Sequence, residues 1–382
     1  MTRRFLAAIG AGLLSTALQL STAAAQGTTP AAALMAQRIA DAEPILSALV
    51  ESYGVSGMEG PVRETVIRFL PSWAKAETDT AGNLWVRAGS GDPQVVFVAH
   101  MDEIGYRVTA LRDDGSLDLE RMGGFYTSLY EGRPALVHTG NRTVPGVFVP
   151  RETDRSARTD GSPKVLHTPP PLRVDVGSGS RAATEALGIR VGNTISMPKS
   201  YQRFAGTRAT GRSFDDRVGC TALLLALRGM DPKKLRHEVA FIFSVREETG
   251  LDGARVVANA LGIRPARVHA IDTFVSADSP LENPAFAVAP LGQGAVVRAL
   301  DNSSVTPPAY VDTLRLLARG RSVALQVGTT NGGNDGSTFA SYGVPDVPMG
   351  WPLRYSHSPA EVIDLKDVVS LGEMVLAAAE SW

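Results

Sequence analysis

The stretch Gln94–Glu103, QVVFVAHMDE, decides the architecture. Its first six residues, Gln94 to Ala99, form a short apolar run that suits a strand buried on both faces. The run gives way at once to His100-Met101-Asp102-Glu103, so the strand ends in side chains that bind cations or move protons. A second run, Glu238 to Val245 (EVAFIFSV), is followed by Glu247-Glu248-Thr249-Gly250, and a third, Val268 to Ile271, by Asp272. A further strand is read at Leu84-Trp85-Val86. Helical periodicity lies between and before these runs. Ala31 to Tyr53 carries Leu34, Ile39, Ile45, Leu46, Leu49 and Val50 at helical spacing, and the turn Gly54–Gly57 ends it. Pro61 sits near the start of a second helix, Val62 to Leu70. Thr221 to Arg228 and Arg255 to Ala260 are also read as helices. Strands alternating with helices predict an α/β fold whose sheet is covered on both faces.

Residues 110–206 read differently. They hold many turn signals, Pro-Pro-Pro at 169–171, and short β-like runs at Ala135–Val137 and Val147–Val149, with one helical patch at Ala182–Leu187. This predicts a small, mostly β insert, a barrel or a sandwich, that splits the α/β domain into residues 26–109 and 207–382. Arg151 to Pro171 reads as a flexible loop of that insert.

The first 25 residues read as a secretory signal peptide. Arg3 and Arg4 are the positive start, an apolar run follows from Phe5 to about Leu20, and Ala23-Ala24-Ala25 has the small residues of a cleavage site. An exported protein, periplasmic or extracellular, is expected. No later stretch reaches the roughly 18 apolar residues of a spanning helix, so no membrane partner is expected after cleavage. The chain has 382 residues, with 38 Lys and Arg against 39 Asp and Glu, a net charge of −1. That balance lacks the basic excess that nucleic acid or an anionic membrane would need. Its 44% hydrophobic and 20% charged content is that of a globular protein. Cys220 is the one cysteine, which excludes an intramolecular disulfide framework and a cysteine-rich zinc module.

Five segments concentrate ligand-type residues: His100-Met101-Asp102-Glu103, Asp215-Asp216-Arg217, Glu247-Glu248, Asp272 and His357-Ser358-Pro359. Three of them sit at the carboxyl ends of predicted strands, where α/β sheets bind ligands. Two imidazoles and three carboxylates make a nitrogen–oxygen donor set suited to Zn²⁺, Mn²⁺ or Co²⁺ without a thiolate. A site for two ions needs a bridging carboxylate, for which Asp215 is suited, and a base outside the donor set. Adjacent Glu247 and Glu248 can point apart at a strand end, so that one ligates and the other takes a proton. Asp102 is placed to accept a hydrogen bond from His100 and fix its tautomer.

These segments carry a resemblance. VAHMDEIGYRV (98–108), SFDDRVGC (213–220), VREETGLDGA (245–254), AIDTFVSADSP (270–280) and RYSHSPAEVIDL (354–365) resemble the successive metal-site segments of the M42 metallo-aminopeptidases. These are relatives of the self-compartmentalising tetrahedral aminopeptidases, within the wider M20/M28 co-catalytic zinc group. VDVGSGSRAATEALGIRVGNTIS (174–196) is similar to the family's insert domain, and the likeness runs from about Ile45 to Val369. It implies a zinc-exopeptidase-like fold, a central mixed sheet sandwiched by helices, with the insert building contacts in a homo-oligomer. It implies two divalent ions, zinc before cobalt or manganese. His100 and Asp272 would bind one, Glu248 and His357 the other, and Asp215 both, with Asp215–Asp216 joined by a cis peptide. Glu247 would be the general base and then the acid, and the substrate a peptide with a free N-terminus.

One loop departs from the family pattern. Thr329 to Gly336 (TTNGGNDG) matches a glycine-rich stretch but has Asn334 in place of a threonine. Gly332, Gly333 and Asp335 are expected on the substrate pocket. Rival readings are an N-acyl amino-acid deacylase or carboxypeptidase with the same ions, and a binding protein that has lost them. A polysaccharide hydrolase would leave the His100 and His357 segments without a role.

Overall fold

The computed structural model describes residues 29–140, 142–151, 170–276, 278 and 288–382, and of Pro93 and Gln94 the backbone only. The signal peptide read at 1–25 and nearly all of the loop read at 151–171 lie outside the described residues.

The chain enters through the helix Pro30–Glu51, whose start is set by the Thr29 hydroxyl accepting from the Ala32 N–H (3.3 Å) and by proline in the first turn. It buries Ile39, Ile45, Leu46, Leu49 and Val50, the positions spaced for one face. The helix Gly60–Phe69 follows, with Pro61 in its first turn. Five strands then form a sheet in the order Ala76–Thr78, Leu84–Ala88, Glu238–Ser244, Pro93–His100, Arg267–Ala270. The last three are parallel, with Ser244 opposite His100 and Ala270 opposite Val98. That register delivers the segments after His100, Ser244 and Ala270 to one edge. Parallel bridges from Val268 to Asp346 and Ile271 to Met349 carry the sheet onward to the strands Met349–Gly350, Ala295–Leu300 and Leu325–Thr329. The result is a mixed α/β fold with several sheets.

Alternation along the strands divides the core. Val95, Phe97, Ala99, Phe241 and Phe243 join the cluster shared with the helices Pro30–Glu51, Phe214–Gly229 and Leu365–Ser381. Val96, Val98, Ala240 and Ile242 face the other way, toward Val257 and Leu261 of the helix Asp252–Leu261 and toward Phe339. Each fully buried Val, Ile, Leu or Phe among them contributes roughly 1.5–3 kcal/mol. Among the described residues, no helix is long and apolar enough to cross a membrane.

A closed barrel forms from Gly105–Leu111, Leu117–Met122, Arg173–Asp175, Thr143–Phe148, Pro134–His138 and Thr194–Ser196. It has its own core, in which Tyr106, Phe125, Tyr130 and Phe148 meet ring to ring at 4.7–5.4 Å. Its first strand crosses the boundary read at 109/110. The strands Gln202–Arg203 and Arg208–Gly211 lie outside it and join Glu361–Asp364 in a separate sheet.

Candidate metal centre

His100 closes its strand with both backbone groups engaged. Its N–H donates to Asp216 Oδ2 (2.8 Å), and its carbonyl accepts from Cys220 Sγ (3.2 Å). The imidazole Nε2 lies 3.1 Å from Asp215 Oδ1. Asp102, completely buried, sets its carboxylate 3.4 Å from His100 Nδ1, and its own carbonyl oxygen lies at 3.2 Å. That carboxylate does more than the sequence spacing indicated. It accepts the backbone N–H groups of Glu247 (2.9 Å) and Glu248 (3.1 Å) and the Ser56 hydroxyl (2.7 Å). One side chain thus ties the loop after Ser244 to the loop after His100.

Asp215 and Asp216 stand at the start of the helix Phe214–Gly229, but their backbone is not helical, and the bond between them is cis. Asp216 turns inward and accepts the Gly219 N–H (2.9 Å) as well as that of His100. Asp215 faces the strand ends. The donor atoms of His100, Asp215 and Asp272 all lie within 4.8 Å of one another, and so do those of Asp215, Glu248 and His357. Asp215 belongs to both groups through different oxygens: Oδ1 is near His100, and Oδ2 lies 3.3 Å from His357 Nε2. Glu247 stands outside both groups, its Oε2 3.9 Å from His100 Nε2.

The donor chemistry fits divalent cations. Glu248 Oε1 is buried without a hydrogen-bond partner, with His357 Nε2 at 3.4 Å. An orphaned carboxylate oxygen at that depth calls for a cation. Burial pushes the Asp215 carboxyl up, but hydrogen bonds with His100 and His357 outweigh it and hold it well below the usual range. Burial likewise lowers both imidazoles, yet surrounding carboxylates raise them well above the ordinary histidine value: Asp102 and Asp215 for His100, Glu248 and Asp215 for His357. Burial, with the charges of Asp272 and Asp335, raises Glu247 well above the carboxylate range. Asp272 is pushed up to about 6 by burial, with Arg298 opposing.

The groups open on a cavity of about 380 Å³. Gly332 and Gly333 are on its wall, and Asp335 is not among its lining residues. Asn334 caps the 3₁₀ helix Asp335–Tyr342 by accepting the Gly336 N–H (2.8 Å), and this turns Asp335 inward to take the Ser244 hydroxyl (2.5 Å). The Asp335 carboxylate is thus a buried neighbour of the site, and Asn334 is a cap.

Several residues around the site, or the partners they meet there, escaped the sequence reading. Arg298 is 1% exposed, 3.2 Å from Asp272 Oδ2, and donates to the carbonyls of Thr273 (3.0 Å) and Gly333 (2.9 Å). Its signal was a lone charge in the apolar strand AVVRAL. Glu361 accepts the N–H groups of Phe214 (2.7 Å) and His357 (3.1 Å), joining two site segments. Glu103 is completely buried among Lys199 (2.7 Å), Arg212 (3.5 Å) and Arg217 (4.0 Å). Gly124, Phe125 and Tyr126 bring the barrel to the cavity wall.

Carboxylates and imidazoles gathered at parallel strand ends, with a further carboxylate beside them, define the metal-dependent hydrolase class. Comparison with known proteins narrows it. Residues 82–374 match the M42 glutamyl aminopeptidase family. The chain is 29% identical to a putative aminopeptidase, FrvX, of Escherichia coli over 86% of its length and 92% of the relative's. It is 29% identical to a lysyl aminopeptidase of Pyrococcus furiosus, covering 88% and 96%. Among solved structures, the TET1 peptidase of Pyrococcus horikoshii, which assembles into a tetrahedron or a large octahedral shell, superposes with a TM-score of 0.80 at 30% identity, covering 89% of this chain and 100% of that one. The chain belongs to the M42 aminopeptidase family and is a peptide hydrolase.

Proposed function

We propose that the protein is an exported aminopeptidase that removes the first residue of peptides, with two divalent cations, zinc foremost, and Glu247 as general base. The observation that carries this reading is the sharing of Asp215 by two three-residue donor groups. His100 and Asp272 would hold one cation, and Glu248 and His357 the other. Two such cations, when bound, lower the pKa of water and polarise a carbonyl. The chain's own residues do the rest. Glu247, its backbone fixed by Asp102 and its carboxyl raised by burial, takes the proton of the attacking water and returns it to the leaving amine. Arg298 holds Asp272 and the Gly333 carbonyl in one frame.

Export rests on the charge and apolar pattern of residues 1–25. Residues 110–206 are read as an inserted domain between 26–109 and 207–382, and a homo-oligomer is proposed from the shells formed by the Pyrococcus horikoshii relative.

The decisive assay compares free-amine aminoacyl anilides with their N-acetylated forms. Only the free amines should be cleaved, with activity abolished by chelation and restored by Zn²⁺, Co²⁺ or Mn²⁺. Preference for the acetylated compounds would move the assignment to a deacylase. Activity indifferent to chelators would remove the cations from the reading.

The cavity wall also bears on the first residue. Among the described residues, its one ionic side chain besides His357 and the carboxylates is Arg298, which is committed to Asp272 and to Asp301 (3.0 Å). Phe125, Tyr126, Val275 and the three glycines offer no counter-charge, and a charged side chain buried there would go unpaired. Leucyl and phenylalanyl anilides should therefore exceed glutamyl and lysyl ones in kcat/KM by about 10-fold or more, equivalent to about 1.4 kcal/mol. The reverse ranking would show that a charge recognises the substrate from elsewhere.

A further inference from the structure

The barrel touches the metal centre at one turn. Gly123 and Gly124 follow the barrel strand Leu117–Met122, and the Gly124 carbonyl lies 2.5 Å from His357 Nδ1. An imidazole that donates Nδ1–H to a carbonyl has Nε2 left as its lone-pair nitrogen. Nε2 is the nitrogen that lies 3.3 Å from Asp215 and 3.4 Å from Glu248. Gly123 stands against the other ligand of that group. Its φ is +100°, and a Cβ there would come within 2.6 Å of Ile104 Cγ2 and 3.2 Å of Glu248 Oε2. Only glycine lets the turn come this close.

The turn is held by the barrel, not by the sheet that carries the ligands. Met122 pairs with Gly105, and Phe125 sits in the barrel core with its ring 4.7 Å from Tyr130 and 5.2 Å from Tyr106. Arg121 donates to the Phe125 carbonyl (2.9 Å) and braces the loop. Among the described residues, no barrel residue has a comparable place at the other group: His100 Nδ1 meets Asp102, and Asp272 meets Arg298 and the Thr273 N–H.

We propose that the Gly123–Gly124 turn is a positioning element for the Asp215–Glu248–His357 ion site alone, so that the seating of the barrel sets the occupancy of one ion and not the other. The proposal rests on the reading that two cations bind here. It makes the barrel part of the metal centre, in addition to any role between subunits. Outer-shell partners of this kind typically change metal affinity by 10–100-fold.

The test is the zinc content of the purified full chain, measured by elemental analysis after dialysis against graded chelator, with circular dichroism to confirm folding. Gly123→Ala should lose one of two ions at about 10–100-fold lower chelator strength than the native chain and keep the other. Gly140→Ala is the control. Gly140 is also left-handed (φ +93°) but has nothing within 4 Å of its would-be Cβ, so it should keep both ions. Should Gly123→Ala fail to fold, Arg121→Met removes only the brace of the turn from an exposed position and should weaken the same single ion. Both ions held as tightly as in the native chain by a folded Gly123→Ala or Arg121→Met protein would overturn the proposal, as would equal loss of both. A native chain that binds no zinc would instead sink the two-ion reading itself, so the two failures are distinguishable.

Discussion

Asp215→Ala should strip both ions from the protein. Each donor group counts three side chains with Asp215 and two without it. The loss also leaves His100 and His357 without the carboxylate that lies 3.1 and 3.3 Å from them. Each ion should bind more than about 100-fold more weakly, beyond the range for outer-shell changes, and peptide hydrolysis should fall to the level of the chelated enzyme. The comparison that gives this force is Glu248→Gln. It belongs to one group only, so one ion should be lost and the other retained. Metal analysis of the two variants separates a shared carboxylate from a collection of independent ligands. If Asp215→Ala lost one ion, or if Glu248→Gln lost both, the two groups would not share a member in the way the geometry places them.

Much of the site was legible because its residues end strands. The apolar runs before His100 and Asp272 fix where each strand stops, and the parallel register then brings those endings together. The carboxylate pair at Glu247 and Glu248 was legible as two side chains diverging after a strand. Asp215 and His357 were legible as motif positions, while the residues that share their surroundings were not. Arg298 looks in sequence like an isolated charge, and its meaning depends on where the loops around Asp272 and Gly333 arrive. Glu103 sits among three cations that reach it only after the barrel has been traversed and the chain has returned. Removing one partner from such a buried cluster typically costs about 3–5 kcal/mol, and no local pattern reports it. The barrel itself was legible as β-rich sequence. The choice between barrel and sandwich and the first strand at Gly105 were not, because the strands are short and their pairing order is not that of the chain. Asp335 was legible as a motif position, and its partner, the Ser244 hydroxyl, was not.

Glu247→Gln should leave the metal content unchanged and remove turnover. Glu247 lies outside both donor groups, so the amide costs no ligand. The change is nearly isosteric, and the backbone N–H of residue 247 still donates to Asp102 (2.9 Å), so the loop keeps its place. What the amide cannot do is accept a proton from water and hand it to the leaving amine. General acid–base catalysis contributes about 10²–10⁴-fold, and kcat should fall by that amount. KM should stay within a few-fold of the native value, because an interaction made only in the transition state is the one removed. Glu247→Asp keeps the carboxylate but sets it back by about 1.5 Å, one carbon–carbon bond, and should fall between the two. Metal analysis beside single-turnover kinetics distinguishes this outcome from a ligand role, in which ion and activity would leave together. A Glu247→Gln enzyme with full metal content and native kcat would assign the proton to another group. Asp335, raised to about 7 by burial, would be the first to test, as a titratable neighbour behind the cavity wall.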